Sequence, residues 1–374
     1  MTDIKIKDLR GVGDVELNLD DTKRVFVFFG SNGVGKTKTL EALFLFLLGK
    51  VKDFSTPFYS KFHKKLFENI YFNNDIMNLT DHLTNDLFDK ISNKEFLAIA
   101  YLGANSRSDV HKNRYSQEPF GEVNQRKQIF SKLIGEFFLG VNDYKLSQFG
   151  MSQDINKWFT ERAKSVNPYQ KEEDNRKIDI DTVLNALHIL DNRIEKTLKI
   201  DGDGNVFLTI EGQERELSEL SSGFISVVKI IQSIISAYSA FTNATDLLNV
   251  KGVVLIDEIE SHLHIEWQTK IVPTLKNLFP NTTFYIATHS PLVLSQLAEG
   301  EAYLLKRDND NDNDNDNVVR SEKINSPNTR LLANVLQDTF GVDLNTLKRD
   351  NMANIDQSQA KQRLLDLLNS EAQP

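Results

Sequence analysis

The octapeptide Gly30-Ser31-Asn32-Gly33-Val34-Gly35-Lys36-Thr37 constrains this chain more than any other stretch, because it fits G-x-x-x-x-G-K-[ST] and sits between two structural signals. Ahead of it, Val25–Phe29 is an uninterrupted apolar run of the kind that forms a strand buried on both faces. Behind it, Leu40, Leu43, Phe44, Leu47 and Leu48 recur at helical spacing. Strand, glycine-rich turn and helix therefore follow in order. In such a turn the backbone N–H groups converge on one anion, and the helix N-terminus adds partial positive charge. Gly30, Ser31, Asn32, Gly33, Val34 and Gly35 are read as a phosphate cradle, Lys36 as the cation facing the β- and γ-phosphates of ATP, and Thr37 as a ligand of Mg2+.

Val253–Ile256 is a second apolar run and ends in Asp257 and Glu258. That places two carboxylates at the C-terminal edge of a parallel sheet, where ligands of open α/β folds bind. Asp257 is read as reaching the Mg2+ shell, and Glu258 as the group that orients or deprotonates the water attacking the γ-phosphate. A third run, Thr283–Ala287, leads into Thr288-His289-Ser290-Pro291. His289 then falls on the same sheet edge, within reach of the γ-phosphate or the attacking water. Leu220-Ser221-Ser222-Gly223 opens an apolar helix over Ile225–Tyr238; its hydroxyls and free N–H groups make a second anion site or a simple helix cap.

Around these motifs, Ile4, Ile6 and Leu9, then Val15, Leu17 and Leu19, read as short strands ahead of the glycine-rich turn. Residues 51–200 are less regular and read as a mainly helical insertion, with a strand near Phe96–Leu102. Its clearest helix is expected over Asp181–Ile200, where Val183, Leu187, Leu190, Ile194 and Leu198 step by three or four. Asp201–Gly204 reads as a turn before a strand at Val206–Ile210, and Ile265–Leu278 as one helix. The alternation of strand and helix beyond this point implies parallel pairing. Asp308–Asn317 alternates Asp and Asn, has nothing apolar to bury, and reads as the tip of a hairpin between Ala302–Leu305 and a strand from Val318. The tail closes with a helix at Ser358–Leu368.

Composition narrows the classes further. No cysteine occurs, which removes disulfides, thiolate zinc sites and cysteine nucleophiles. The apolar run Ala42–Leu48 is far too short to cross a bilayer and the first residues lack a signal-peptide pattern, so the expectation is a cytoplasmic chain with no membrane partner. A net charge of −9 argues against a protein that coats nucleic acid over its whole surface. The basic clusters Lys61–Lys65 and Arg126–Lys132 leave local nucleic-acid contact open.

Taken in order, Gly30–Thr37, Leu220–Gly223, Val253–Glu258 and Thr288–Pro291 resemble the ABC-type ATPase heads of SMC and RecF proteins. IDEIESHLHIEWQ at Ile256–Gln268, ATHSP at Ala287–Pro291 and YLGANSR at Tyr101–Arg107 are similar to the AAA-family ABC ATPases of bacterial antiphage operons, the Septu, retron-associated and OLD-like group. Phe224 stands where many such ATPases carry Gln or Glu, and Ile265 replaces a Pro after HLH. The resemblance identifies no Q-loop glutamine beyond the guesses Gln117 and Gln125.

The resemblance implies an α/β fold, a P-loop NTPase of ABC-ATPase head type with a mixed sheet, flanking helices and the helical insertion. It divides the chain into an ATPase domain over 1–50 and 201–345, the insertion over 51–200 and a tail helix over 346–374. It also implies ATP bound between two heads, with Ser221, Ser222 and Gly223 of one chain facing the Lys36 loop of the other. The chain would then act as a homodimer or higher even oligomer, an ATP-hydrolysing regulator of a separate nuclease effector in antiphage defence. Two rivals stay open, a DNA-repair ATPase that binds DNA directly and a nucleotide-gated scaffold with little hydrolysis.

Overall fold

The computed structural model describes residues 1–52, 54, 60–61, 65–79, 82–83, 91, 94–105, 122–139, 149–151, 154–169, 171, 174–308 and 318–329, with isolated positions between 334 and 346. Met1–Thr329 forms one compact unit and Arg330–Pro374 a second, most of which lies outside the described residues. The tail helix expected within 346–374 lies there too.

The first unit is built on a ten-stranded mixed sheet. Its strands are β1 (Thr2–Leu9), β2 (Gly13–Leu19), β3 (Val25–Phe29), β5 (Asn69–Phe72), β6 (Asp75–Asn78), β8 (Ala98–Leu102), β12 (Gly252–Ile256), β13 (Thr282–Ala287), β14 (Ala302–Arg307) and β15 (Val318–Lys323). Their order is β6-β5-β1-β2-β15-β14-β3-β13-β12-β8. The pairs β14–β3, β3–β13, β13–β12 and β12–β8 are parallel, while β6–β5, β5–β1, β1–β2 and β15–β14 are antiparallel. Every residue of β3, β8 and β12 is buried, as their unbroken apolar runs require of strands covered on both faces. Because β3, β12 and β13 run parallel, the residues that follow each of them emerge on one edge. A short pair, β4 (Ser60–Lys61) with β7 (His82–Leu83), and an antiparallel sheet of β9 (Ile194–Ile200), β10 (Val206–Ile210) and β11 (Gln213–Glu216) complete the strands among the described residues.

Among the described residues, the α-helices are α1 (Lys36–Leu48), α2 (Val123–Leu139), α3 (Ile155–Lys164), α4 (Lys177–Leu190), α5 (Ser222–Phe241), α6 (Ile265–Gln268), α7 (Ile271–Leu278) and α8 (Pro291–Leu294). From Thr39 to Leu48, α1 is buried on every side and packs against β13, β12, β8 and β1. One described helix, α5, has the length and apolar content to cross a membrane, and most of it is buried here against β8, α2 and α4. Buried charges tie α2, α3 and α4 to the C-terminal end of α5. Arg162 and Arg176 both bond Asp179, while Arg126 reaches Asn243. Arg126 is therefore unavailable to the basic cluster Arg126–Lys132, because its guanidinium is fully buried.

Two sequence expectations are corrected. The helix expected over Asp181–Ile200 is α4 followed by β9, joined by a turn in which Asp191 Oδ1 accepts from the Arg193 N–H at 3.0 Å. A step of four residues between Ile194 and Leu198 is one helical turn or two strand repeats, and the strand won because Ile200 continues the alternation against β10. The helix expected over Ile265–Leu278 breaks at Thr269–Lys270. Pro273 has no N–H to donate to the Thr269 carbonyl, so a continuous helix would lose a bond there.

The strands flanking the Asp/Asn run are paired as expected, from Tyr303↔Lys323 to Arg307↔Val319, and the Asp308 N–H donates to Val318 O at 2.9 Å. Residues 309–317 lie outside the described residues. Replacing them by Asn-Gly would leave Asp308 and Val318 flanking a two-residue turn of the type that suits such strands. The melting temperature should then move by less than about 3 °C. Calorimetry checks this, and a larger fall would show that the deleted run contacts the body.

Candidate functional site

The sheet edge after β3 is shaped by backbone that only glycine adopts readily. Gly30, Gly33 and Gly35 have φ of 146°, 79° and 107°. A Cβ on Gly30 would stand 2.7 Å from Leu305 O, and one on Gly35 would stand 2.6 Å from Val12 Cγ1, so this loop is pressed between β14 and the β1–β2 turn. Gly33, Ser31 and Asn32 face outward. The loop thereby leads with exposed residues into the start of α1, and a glycine-rich turn at a helix N-terminus fits a polyphosphate.

Lys36 is buried. Its Nζ donates to Gly30 O at 2.8 Å and Ser31 O at 3.1 Å, folded back over the loop that it would share with phosphates. Burial lowers its pKa to about 8, against the opposing pull of Asp257, Glu260 and Glu258, and an incoming phosphate would restore the full positive charge. Next to it the Thr37 hydroxyl donates to Asp257 Oδ1 at 3.1 Å, bridging 220 residues of sequence. Asp257 is buried and its N–H is held by Leu102 O at 2.9 Å, so β8 fixes its backbone. A hydroxyl and a carboxylate already in contact are a donor set suited to one hard divalent cation such as Mg2+.

Glu258 follows in a left-handed conformation, φ 48°, which is costly for a side chain with a Cβ and turns the chain sharply out of β12. The turn is closed by the Ser261 N–H on Glu258 O at 2.8 Å, and the Ser261 hydroxyl donates to Glu258 Oε2 at 3.0 Å. His289 is half-buried at the end of β13. Burial pushes its pKa down, and Lys36 adds to this against Glu260 and Glu258. Lys36, Thr37, Asp257, Glu258 and His289 thus share one edge and one electrostatic neighbourhood.

Ser221, Ser222 and Gly223 start α5. Ser221 Oγ accepts from the Phe224 N–H at 3.3 Å, an ordinary cap, and both serines are exposed. Their described hydrogen bonds stay within their own helix end. Gly223 is pressed against the segment leaving β12, since a Cβ there would meet the His264 N at 3.2 Å. Ser226 Oγ also lies 3.4 Å from His262 O. Of the Q-loop guesses, Gln125 is exposed on α2 and Gln117 lies outside the described residues. Of the cluster Lys61–Lys65, only Lys65 has a described side chain, and it is exposed.

Sequence reasoning missed Glu260 and the contact of Gly223 with His264. Glu260 looks like any polar residue in a turn, and its partners Thr288 and His289 lie 28 and 29 residues further on. No local periodicity signals either.

Comparison with known proteins places the chain among similar ones. The family model described as "AAA domain, putative AbiEii toxin, Type IV TA system" matches residues 25–295. The Septu protein PtuA of Bacillus mycoides is 27% identical over 296 residues, 78% of this chain and 38% of that protein. The "Retron Vc95 probable ATPase" of Vibrio cholerae is 28% identical over 171 residues, 44% of this chain and 32% of that protein. The matched stretch is thus only about a third of each of these relatives. An Smc head crystallised with the C-winged helix domain of ScpA aligns at 11% identity and TM-score 0.45, covering 88% of this chain and 99% of that one.

Proposed function

Because the chain belongs to the family of AAA domains described as putative AbiEii toxins of type IV TA systems, we propose that it binds ATP with Mg2+ and hydrolyses the γ-phosphate. The observation that carries this is the Thr37–Asp257 contact, which joins the glycine loop to the acidic strand end at the spot a metal-bound phosphate would need. In this reading the loop N–H groups and Lys36 take the phosphates, and Thr37 and Asp257 hold the ion. When bound there, Mg2+ would neutralise charge on the phosphate oxygens. Glu258 orients a water and accepts its proton, while His289 bonds the phosphate or the water. Most of the work is positioning and electrostatics, as phosphoryl transfer requires.

Exposed Ser222 at the start of α5 supports the second part of the proposal, a site shared between two copies. Each chain would lend its Ser221–Gly223 corner to the Lys36 loop of the other, in a closed two-fold pair. The Septu and retron relatives, one of them named a probable ATPase, support a role as the ATPase of an antiphage system, and regulation of a separate nuclease is the further step of the proposal.

The purified chain should hydrolyse ATP only with Mg2+ and should sediment as a dimer only with bound nucleotide. A failure to bind nucleotide at about 1 mM ATP, the upper end of common KM values, overturns the reading.

A further inference from the structure

Glu260 sits in the turn that leaves β12, two residues beyond Glu258, and no step above uses it. Both of its oxygens are taken by the segment after β13. Oε2 accepts from the Thr288 hydroxyl at 2.5 Å, and Oε1 accepts from the His289 N–H at 2.7 Å. The Thr288 hydroxyl in turn accepts from the Ser290 N–H at 3.0 Å, so one carboxylate anchors three successive residues. Thr288 is fully buried, and its own N–H is held by Phe28 O at 3.1 Å, on β3. A neutral acceptor would satisfy one N–H at lower desolvation cost; two charge-assisted bonds from one rigid carboxylate fix a geometry instead.

We infer that Glu260 is a positioning residue for ATP hydrolysis, whose carboxylate holds the Thr288–Ser290 backbone so that the His289 imidazole stands at the phosphate edge. The inference rests on the ATPase reading above. Glu258 and Glu260 leave β12 in the same short turn, closed at Glu258 by Ser261. The anchor therefore ties the imidazole to the element that carries the water-activating carboxylate, and the two groups keep a fixed relation to one water. Removing the anchor should disturb turnover more than nucleotide affinity, because the glycine loop, Lys36, Thr37 and Asp257 make neither of these bonds, and Glu260 reaches Lys36 only through its charge, which Glu260→Asp retains.

The test is a double-mutant cycle with His289→Ala, reading kcat and the dissociation constant for ATP in each variant. Glu260→Ala should lower kcat by about 10- to 100-fold with ATP affinity within about 3-fold, and should cost nothing further once His289 is gone. Glu260→Gln keeps a carbonyl for the His289 N–H, but its amide can only donate to the Thr288 hydroxyl, whose own proton loses its acceptor, so it should recover turnover in part, to between the alanine variant and the wild type. Glu260→Asp keeps the charge but withdraws it by one methylene. It should slow turnover only when His289 is present, and it decides the cycle if the alanine variant does not fold. Equal losses with and without His289, or normal turnover in Glu260→Ala, overturn the role of Glu260 alone. A wild-type chain that binds ATP and never turns it over overturns the ATPase reading and this inference with it.

Discussion

Glu258→Gln should hold ATP with wild-type affinity and turn it over about 10²- to 10⁴-fold more slowly. Glutamine has the shape of glutamate and still accepts from the Ser261 hydroxyl that steadies Glu258 Oε2, so the left-handed turn out of β12 stays in place. The groups proposed to grip the nucleotide, Lys36 on the loop and Thr37 against Asp257, are untouched. What disappears is the anionic acceptor for the proton of the attacking water, a loss confined to the chemical step. Binding and turnover should therefore separate, and any nucleotide-bound dimer should live longer than the wild-type one. Equilibrium nucleotide binding, single-turnover hydrolysis and sedimentation measure the three quantities. Normal turnover in this variant would remove Glu258 from the catalytic role and leave a scaffold that gates on nucleotide.

The parts of the fold and site that were legible in the sequence are those whose signals are local. Val25–Phe29, the three positive-φ glycines and the start of α1 are contiguous, and each carries its own constraint, so strand, loop and helix follow from one stretch of text. Asp257 and His289 were legible because each ends an apolar run, and parallel strands deliver such ends to one edge. Where two periodicities coincide the text fails. Ile194 and Leu198 fit a helix as well as a strand, and only the pairing of Ile194 with Ile210 and Ile200 with Val206 decides between them. The break before α7 was readable in principle from Pro273. Contacts between segments left no trace at all. The Glu260 bonds to Thr288 and His289, and the closeness of Gly223 to His264, depend on where the sheet brings two turns together. The contact at Gly223 also bears on the shared site, because it locks the start of α5 to the turn that begins at Glu258.

A mixture of Lys36→Ala and Ser222→Arg chains, each inactive alone, should regain ATPase activity if every site is built from two copies. The choice of Ser222 follows from its surroundings. Ser221 caps α5 through the Phe224 N–H, and Gly223 has His264 3.2 Å from where a Cβ would stand, so changes at either would damage the fold of their own chain. Ser222 is exposed at the first position of α5, and an arginine there extends into solvent in the monomer while blocking whatever approaches that helix end. In a heterodimer the Lys36→Ala loop meets the Ser222→Arg corner, so both lesions fall in one composite site. The other site is then wild type in every group. Heterodimers isolated through two different tags should bind one nucleotide tightly and, if the two sites act independently, hydrolyse at about half the wild-type rate per dimer. Each parent homodimer carries one lesion in both sites and should remain dead. If the sites lay within single chains, the Lys36→Ala half would be broken and the Ser222→Arg half would be as active in its own homodimer as in the mixture, so mixing would add nothing. Obligate coupling between the sites would suppress turnover but leave the binding stoichiometry at one. Heterodimers that form yet hold no tightly bound nucleotide therefore rule out the shared site.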